Sequence, residues 1–167
     1  MICPQCGFDN IQGVDQCENC GFDLASVDIP TPSSAFEAEM VLIPLSDLRH
    51  HKPLTIAPSA PAADAVHQLQ EVGAGCLIVE HGGQVCGILS ERDLVMKLTD
   101  GKLDGMTVAD LMTADPVVLR PDDSIAVAIN KMAVGGFRHI PLVENGRAVG
   151  IVSARDVFRH ILSASRA

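Results

Sequence analysis

Two pairs of thiols stand near the start of the sequence, Cys3 with Cys6 and Cys17 with Cys20, each pair separated by two residues and the pairs by ten. Two intervening residues let one tight turn aim both sulfurs at a single tetrahedral cation, and a second such turn closes a shell of four thiolates. Both turns carry the same text, Cys-x-x-Cys-Gly-Phe-Asp, at residues 3–9 and 17–23. Glycine after the second thiol suits a backbone at positive φ, and Phe8 and Phe22 are placed to cover the ion. Zinc fits four thiolates best, with iron chemically admissible in the same cage; a disulfide framework would need an oxidising compartment of which the sequence carries no sign. Four thiolates leave no open position, so the role is structural. Some 24 residues cannot supply a core, and metal binding worth about 10 to 16 kcal/mol has to replace it.

A second chemistry lies in Ser90 with Asp93 and Ser153 with Asp156. Where a strand turns into a helix, such a pair presents free N–H groups, a hydroxyl and a carboxylate able to accept both hydroxyls of a ribose. The same spelling is also a helix capping box, in which Ser and acid satisfy orphan backbone amides. Arg138, His139 and Arg155 are the cations near the second pair that could meet phosphate; the first copy has Gly75-Cys76 where the second has Arg138-His139. Cys76 and Cys86 lie in apolar runs and read as buried, unreactive thiols. His50 and His51 adjoin a loop and read as solvent-exposed, and Met40, Met96 and Met132 read as core filler.

These residues need elements to position them, and an internal repeat supplies the elements. Offset by 63 residues, Asp47-Leu48 aligns with Asp110-Leu111, Pro53 with Pro116, Pro58 with Pro121 and Gly73 with Gly136, without a gap. Residues 83–93 match residues 146–156 at six of eleven positions. Duplication therefore organises residues 46 to 165. Each copy reads as a helical turn near Asp47 or Asp110, then a short strand at Leu54–Ile56 or Val117–Leu119. An amphipathic helix follows, in the second copy burying Ile125, Ala128, Ile129 and Met132 behind a cap at Asp122, Asp123 and Ser124. A hairpin then turns at His81-Gly82-Gly83 or Glu144-Asn145-Gly146, and a last helix opens at Ser90 or Ser153. The expected fold is α/β (α+β): two β-α-β-β-α units in a pseudo-twofold pair behind a small four-cysteine module. The boundaries read as 1–24 metal module, 25–44 linker rich in Ser and Pro, 45–104 first unit and 105–167 second unit. Met40-Val41-Leu42-Ile43 is apolar, and the sequence leaves open whether it is strand or helix.

The duplicated Gly-x-x-Ser-x-x-Asp-like segments and Phe137-Arg138-His139-Ile140-Pro141-Leu142-Val143 resemble a tandem pair of CBS domains, over roughly residues 45 to 165. The cysteine turns are similar to a short zinc ribbon with rubredoxin-like knuckles. The CBS resemblance implies regulation, with AMP, ADP, ATP or S-adenosylmethionine in clefts between the units. It implies ribose binding by Ser153 and Asp156, and by Ser90 and Asp93 in the first copy. Val118, Ile140 and Pro141 would then sandwich adenine, with Thr55, Ile56 and Leu77 as first-copy counterparts. It also implies a homodimer formed through helical faces. The function expected is a non-catalytic sensor that signals to a separate effector protein, and the alternative is an interaction scaffold with empty clefts acting through the acidic metal module.

Composition narrows the partners. The net charge is −9, and residues 1–48 hold eight acids with no Lys or Arg. That segment would repel nucleic acid, and the absence of Trp and Tyr removes the usual stacking platforms. The longest run without a charged residue, Pro53–Ala63, is far short of the roughly 18 residues needed to cross a bilayer. The first residues carry neither a basic region nor an apolar run, so the cytoplasm is expected. Nucleophile–base pairs, phosphate-cradling glycine loops and open metal sites are missing, so no enzyme is expected.

Overall fold

The computed structural model describes residues 2–3, 5–11, 14–22, 24, 35–48, 52–98 and 103–164. The chain divides into two compact units, Met1–Val41 and Leu42–Ala167. In the first, the apolar cluster is Cys3, Cys17 and Leu24 with Val14 against it. Helix α1, Ala35–Leu42, occupies the end of the stretch read as linker and resolves the segment whose conformation the sequence left open. Residues 25–34 lie outside the described residues, as do His50 and His51.

The second unit carries the repeat. After a 3-10 turn at Leu45–Asp47 come β1 (Thr55–Ile56), α2 (Ala62–Val72), β2 (Cys76–His81), β3 (Gln84–Ser90) and α3 (Glu91–Lys97). Then follow α4 (Val108–Leu111), β4 (Thr113–Ala114), α5 (Ile125–Gly135), β5 (His139–Glu144), β6 (Arg147–Ser153) and α6 (Ala154–Ala164). Strands β1 to β4 form one sheet in sequence order, with β1 parallel to β2 and the rest antiparallel. The β5–β6 pair repeats the β2–β3 register residue for residue, bulge included. Both hairpins turn on two residues at positive φ, Gly82-Gly83 and Asn145-Gly146, the conformation that matches strand twist.

The two copies exchange their leading turns. Leu45 N–H donates to the Asp123 carbonyl (2.8 Å) and Ile125 N–H to Ile43 (3.1 Å). The same bonds shifted by 63 residues join Val108 to Ala60 and Ala62 to Met106, each at 2.9 Å. This reciprocity is the pseudo-twofold relation expected from the repeat. Between the copies lies a cluster of Cys76, Ile78 and Ile151, flanked by Val85, Ile88 and Ala148.

Three local expectations change. The strand expected at Val117–Leu119 is reduced to one parallel bridge, Leu119 with Leu142. In the first copy Ile78 N–H donates to Leu54; its counterpart is Pro141, which has no N–H to give, so the ladder loses that rung. Met96 is 70% exposed on α3 and fills no core. Strand β4 was not foreseen, because two residues carry no readable alternation.

Candidate functional site

In the first unit, each cysteine turn is closed by its own backbone. Cys3 N–H donates to Phe8 (2.8 Å) and Gly7 N–H returns to Cys3 (2.9 Å), and Cys17, Phe22 and Gly21 repeat the pattern. Gly7 and Gly21 take φ of +72° and +71°, which a side chain would strain. The four sulfurs lie within 4.8 Å of one another and could hold a metal ion. Asn10, nearly buried, ties the turns together: Nδ2 donates to the Phe8 carbonyl and toward Cys17 Sγ, while Oδ1 accepts from Glu18 N–H. Burial opposes ionisation of Cys17, but the amides of Cys20 and Asn19 and the Asn10 side chain outweigh it and bring the thiol to about 6. At Cys20 the Phe22 amide favours thiolate, yet burial and the crowding sulfurs of Cys6, Cys17 and Cys3 push it up to about 12. Phe8 and Phe22, expected to cover the ion, are 41% and 37% exposed.

In the second unit, both Ser–Asp pairs sit at the junction of strand and helix. Ser90 N–H and Oγ donate to Asp93 Oδ2, and Asp93 N–H donates back to Ser90 Oγ at 3.4 Å. Ser153 and Asp156 repeat this, with the last bond at 3.3 Å. Both pairs are thus capping boxes, and one oxygen of each carboxylate is committed to its own helix. The other oxygen differs. Asp93 Oδ1 accepts from Thr113 Oγ1 at 2.9 Å and lies 3.9 Å from Lys97 Nζ. Asp156, only 7% exposed, has Oδ1 without a hydrogen bond among the described residues.

His139 pairs with Ser153 across the β5–β6 ladder, and its ring lies against Gly75 of the first copy, where a Cβ would stand 2.9 Å from Nε2. Burial lowers the His139 pKa below its ordinary 6.5, opposed by Asp156 and Glu91 and assisted by Arg138 and Arg155. Arg138 and Arg155 are exposed and make no side-chain hydrogen bond or ion pair among the described residues. Arg92, the first-copy counterpart of Arg155, donates to the Gly136 carbonyl at 3.1 Å.

Beside His139 a cavity of about 270 Å³ draws walls from both copies: Lys52, Leu54, Val72, Ala74, Gly75 and Cys76 from the first, His139 and Ile151 from the second. Of the nominated ligand residues only His139 lines it. Ile56, Leu77 and Ile140 are buried and do not line this cavity. Pro141 is buried as well, and Thr55 and Val118 are exposed away from this cavity. Lys52, Leu54 and Ile151 were missed; Leu54 accepts from Ile78 N–H of its own copy and so stands beside Cys76, while Ile151 reaches the same place from the second copy's hairpin. Cys76 also lines the cavity, and burial, then Asp93 and Glu91, push its thiol up to about 12, so it is inert. Cys86 donates to the Val79 carbonyl. A larger hollow of about 600 Å³ lies between Pro44–Ser46 and the hairpin tip at Glu144-Asn145. None of the nominated residues lines it, and its one cation, Arg120, faces Asp122 at 3.9 Å.

The comparisons agree with this architecture. The CBS domain profile matches residues 45–100 and 108–163. An uncharacterised 17.7 kDa protein of Acidianus ambivalens is 32% identical over 120 residues, 71% of this chain and 73% of that protein. The Arabidopsis thaliana protein CBSCBSPB5 is 33% identical over 109 residues, 63% of this chain but only 20% of its own length. Among solved structures, the CBS pair of MJ0100 with 5′-methylthioadenosine and S-adenosylmethionine superposes with a TM-score of 0.66 at 22% identity, covering 75% of this chain and 99% of that one. CBSX2 of Arabidopsis thaliana in complex with AMP gives 0.64 at 24%, covering 72% and 97%. No helix among the described residues is long and apolar enough to cross a membrane. With two matched repeats that exchange their leading turns about a pseudo-twofold axis, the chain belongs to the CBS-domain family, as a tandem pair.

Proposed function

We propose that this CBS pair is a non-catalytic sensor that takes an adenosine-containing ligand, AMP, ADP, ATP or S-adenosylmethionine, at the second-copy groove. The observation that carries the reading is Asp156 Oδ1, without a hydrogen bond among the described residues, at the strand–helix junction whose Ser153 pairs across the ladder with His139, the residue that lines the cavity shared by the two copies. Asp156 Oδ1 accepts ribose hydroxyls, Ser153 fixes the carboxylate, and the two arginines meet phosphate or carboxylate. Leu54 and Ile151 supply apolar walls for the base, in a space near the lower edge of the usual range of about 300 to 1,000 Å³. The structural neighbours bound to AMP and to S-adenosylmethionine support the choice of ligand class. A ligand that bridges the copies biases their packing by its differential affinity, commonly about 1 to 3 kcal/mol, and a separate effector protein reads the change.

Cys3, Cys6, Cys17 and Cys20 hold a structural zinc. Sulfurs on a tetrahedron about 2.3 Å from zinc stand about 3.8 Å apart, and the Cys3–Cys20 and Cys6–Cys17 separations are 3.7 and 3.6 Å. The protein acts in the cytoplasm as a homodimer formed through its helical faces, where Val95 (79%) and Phe158 (58%) are exposed. Calorimetric titration with AMP, ATP and S-adenosylmethionine tests the ligand: saturable heat with at least one of the three is expected, and silence for all three contradicts the sensor. Elemental analysis should return one zinc per chain, lowered by Cys17→Ser while the CBS pair stays folded; loss of both units together would contradict independent folding.

A further inference from the structure

The helices of the two copies turn outward surfaces of opposite charge. Helix α2 buries Ala62, Ala65 and Leu69 against Leu77, Val79 and Leu89 of the hairpin, and its outer side carries Asp64 and Glu71, two turns apart. Helix α3 opens with Glu91, and all three acids are exposed. The cations of α3 are engaged, Arg92 with the Gly136 carbonyl and Lys97 with the carbonyls of Leu111 and Met112. His67 lies 3.3 Å from Glu71 and offsets it only when protonated. In the second copy α5 carries Lys131, and α6 carries Arg155 and Arg159. None of these three side chains makes a hydrogen bond or ion pair among the described residues, and the acid of α6, Asp156, is buried in its capping box.

The repeat makes the division plain. Val127, Val134 and Ala154 stand where the first copy has Asp64, Glu71 and Glu91, and Gln68 and Met96 stand where the second has Lys131 and Arg159. Each of these positions is charged in one copy and neutral in the other. Among the charges lie exposed apolar side chains, Val95 and Phe158 at equivalent positions, with Met96 on α3 and Val134 on α5. Apolar side chains rimmed by charge mark a surface that another macromolecule covers. One molecule bears both signs, so its two helical faces complement each other.

We propose that the covering partner is a second molecule of this protein, docked antiparallel, so that the acidic helical face of one molecule's first copy meets the basic helical face of the other's second copy. This rests on the homodimer reading above for the existence of the contact and adds its orientation. A twofold axis repeats the contact, and each dimer then holds two meetings of unlike charge. The parallel arrangement would set Asp64, Glu71 and Glu91 against the same three acids, and Lys131, Arg155 and Arg159 against the same three cations. Like charges brought together reject that arrangement.

Analytical ultracentrifugation of the full chain, which yields the dimer dissociation constant, tests this. Asp64→Lys with Glu71→Lys makes both faces basic and is expected to raise the constant about tenfold or more. Lys131→Glu with Arg159→Glu makes both faces acidic and is expected to do the same. All four substitutions in one chain exchange the faces, and the constant should return to within about threefold of wild type. In a parallel dimer each pair of substitutions only trades like charges for like charges. Unweakened association in either paired variant, or no recovery in the fourfold one, therefore overturns the orientation. A wild type that is monomeric at every concentration overturns the homodimer reading, and the proposal with it. Should the fourfold variant fold poorly, Glu71→Lys, Arg159→Glu and their combination decide the same question, since both side chains are exposed.

Discussion

In the first copy Asp93 has both carboxylate oxygens occupied, by Ser90 and by Thr113, whereas in the second Asp156 caps its helix with one oxygen and the other has no hydrogen bond among the described residues. The same division runs through the neighbouring cations. Lys97 and Arg92 are spent on backbone carbonyls, and Arg138 and Arg155 are not. Where the second copy places Arg138 and His139, the first has Gly75 and Cys76, whose small side chains make room for the His139 ring. The capping box answers a need both helices share, since the first backbone amides of any helix lack partners. It is therefore retained twice. The groups without partners among the described residues, Asp156 Oδ1 and the Arg138 and Arg155 side chains, answer no such need and gather in the second copy.

Substitutions in equivalent pairs sharpen or break this contrast. The largest effect should come from the cores, where the copies ought to behave alike: Leu77→Ala and its counterpart Ile140→Ala, both fully buried, should each cost about 2 to 5 kcal/mol by urea denaturation. A loss confined to one of them would mean that the copies do not share a cooperative unit. Next come the caps. Ser90→Ala and Ser153→Ala should each cost about 1 kcal/mol of stability. Only Ser153→Ala should also weaken ligand binding, and equal effects on binding would erase the distinction.

The smallest effect is that of pH. Burial holds His139 neutral by lowering its folded pKa beneath the ordinary 6.5, against Asp156 and Glu91 and with Arg138 and Arg155. A depressed folded pKa means that its contribution is fully present above the unfolded value and is lost as pH falls through the folded one. Melting temperature should therefore drop as pH falls below about 6.5, and His139→Gln should flatten that slope. Asp93, whose carboxyl is lowered by Ser90, Thr113 and Lys97 against its own burial, adds a loss at more acidic pH that this variant leaves intact. A pH profile identical in wild type and His139→Gln would show that the ring titrates freely.

Much of this was legible in the sequence because duplication printed it twice. The agreement of residues 83–93 with 146–156 gave the hairpins, the helix starts and both capping boxes, and the cysteine spacing gave the clustered sulfurs. The cavity was not legible. Its walls come from the first copy at Lys52, Leu54, Val72, Ala74, Gly75 and Cys76 and from the second at His139 and Ile151, a meeting of the two copies that no local pattern announces. The adenine walls were assigned through the family resemblance to Val118, Ile140 and Pro141, with Thr55, Ile56 and Leu77 in the first copy, and none of these lines the cavity. Pro141 also lacks the amide that would complete the second copy's parallel ladder. The bonds of Lys97 to the Leu111 and Met112 carbonyls were invisible for a different reason: a lysine at the end of a helix reads as a solvated residue until the carbonyls it reaches are seen.

The unequal division of one duplicated site is tested most directly by calorimetric affinity for AMP, ATP and S-adenosylmethionine in two variants, Asp156→Ala and Asp93→Ala. Asp156→Ala should weaken binding more than tenfold, about 1.4 kcal/mol or more, while Asp93→Ala leaves affinity and stoichiometry at their wild-type values. Unchanged affinity in Asp156→Ala, or an equal loss in both variants, would contradict the account.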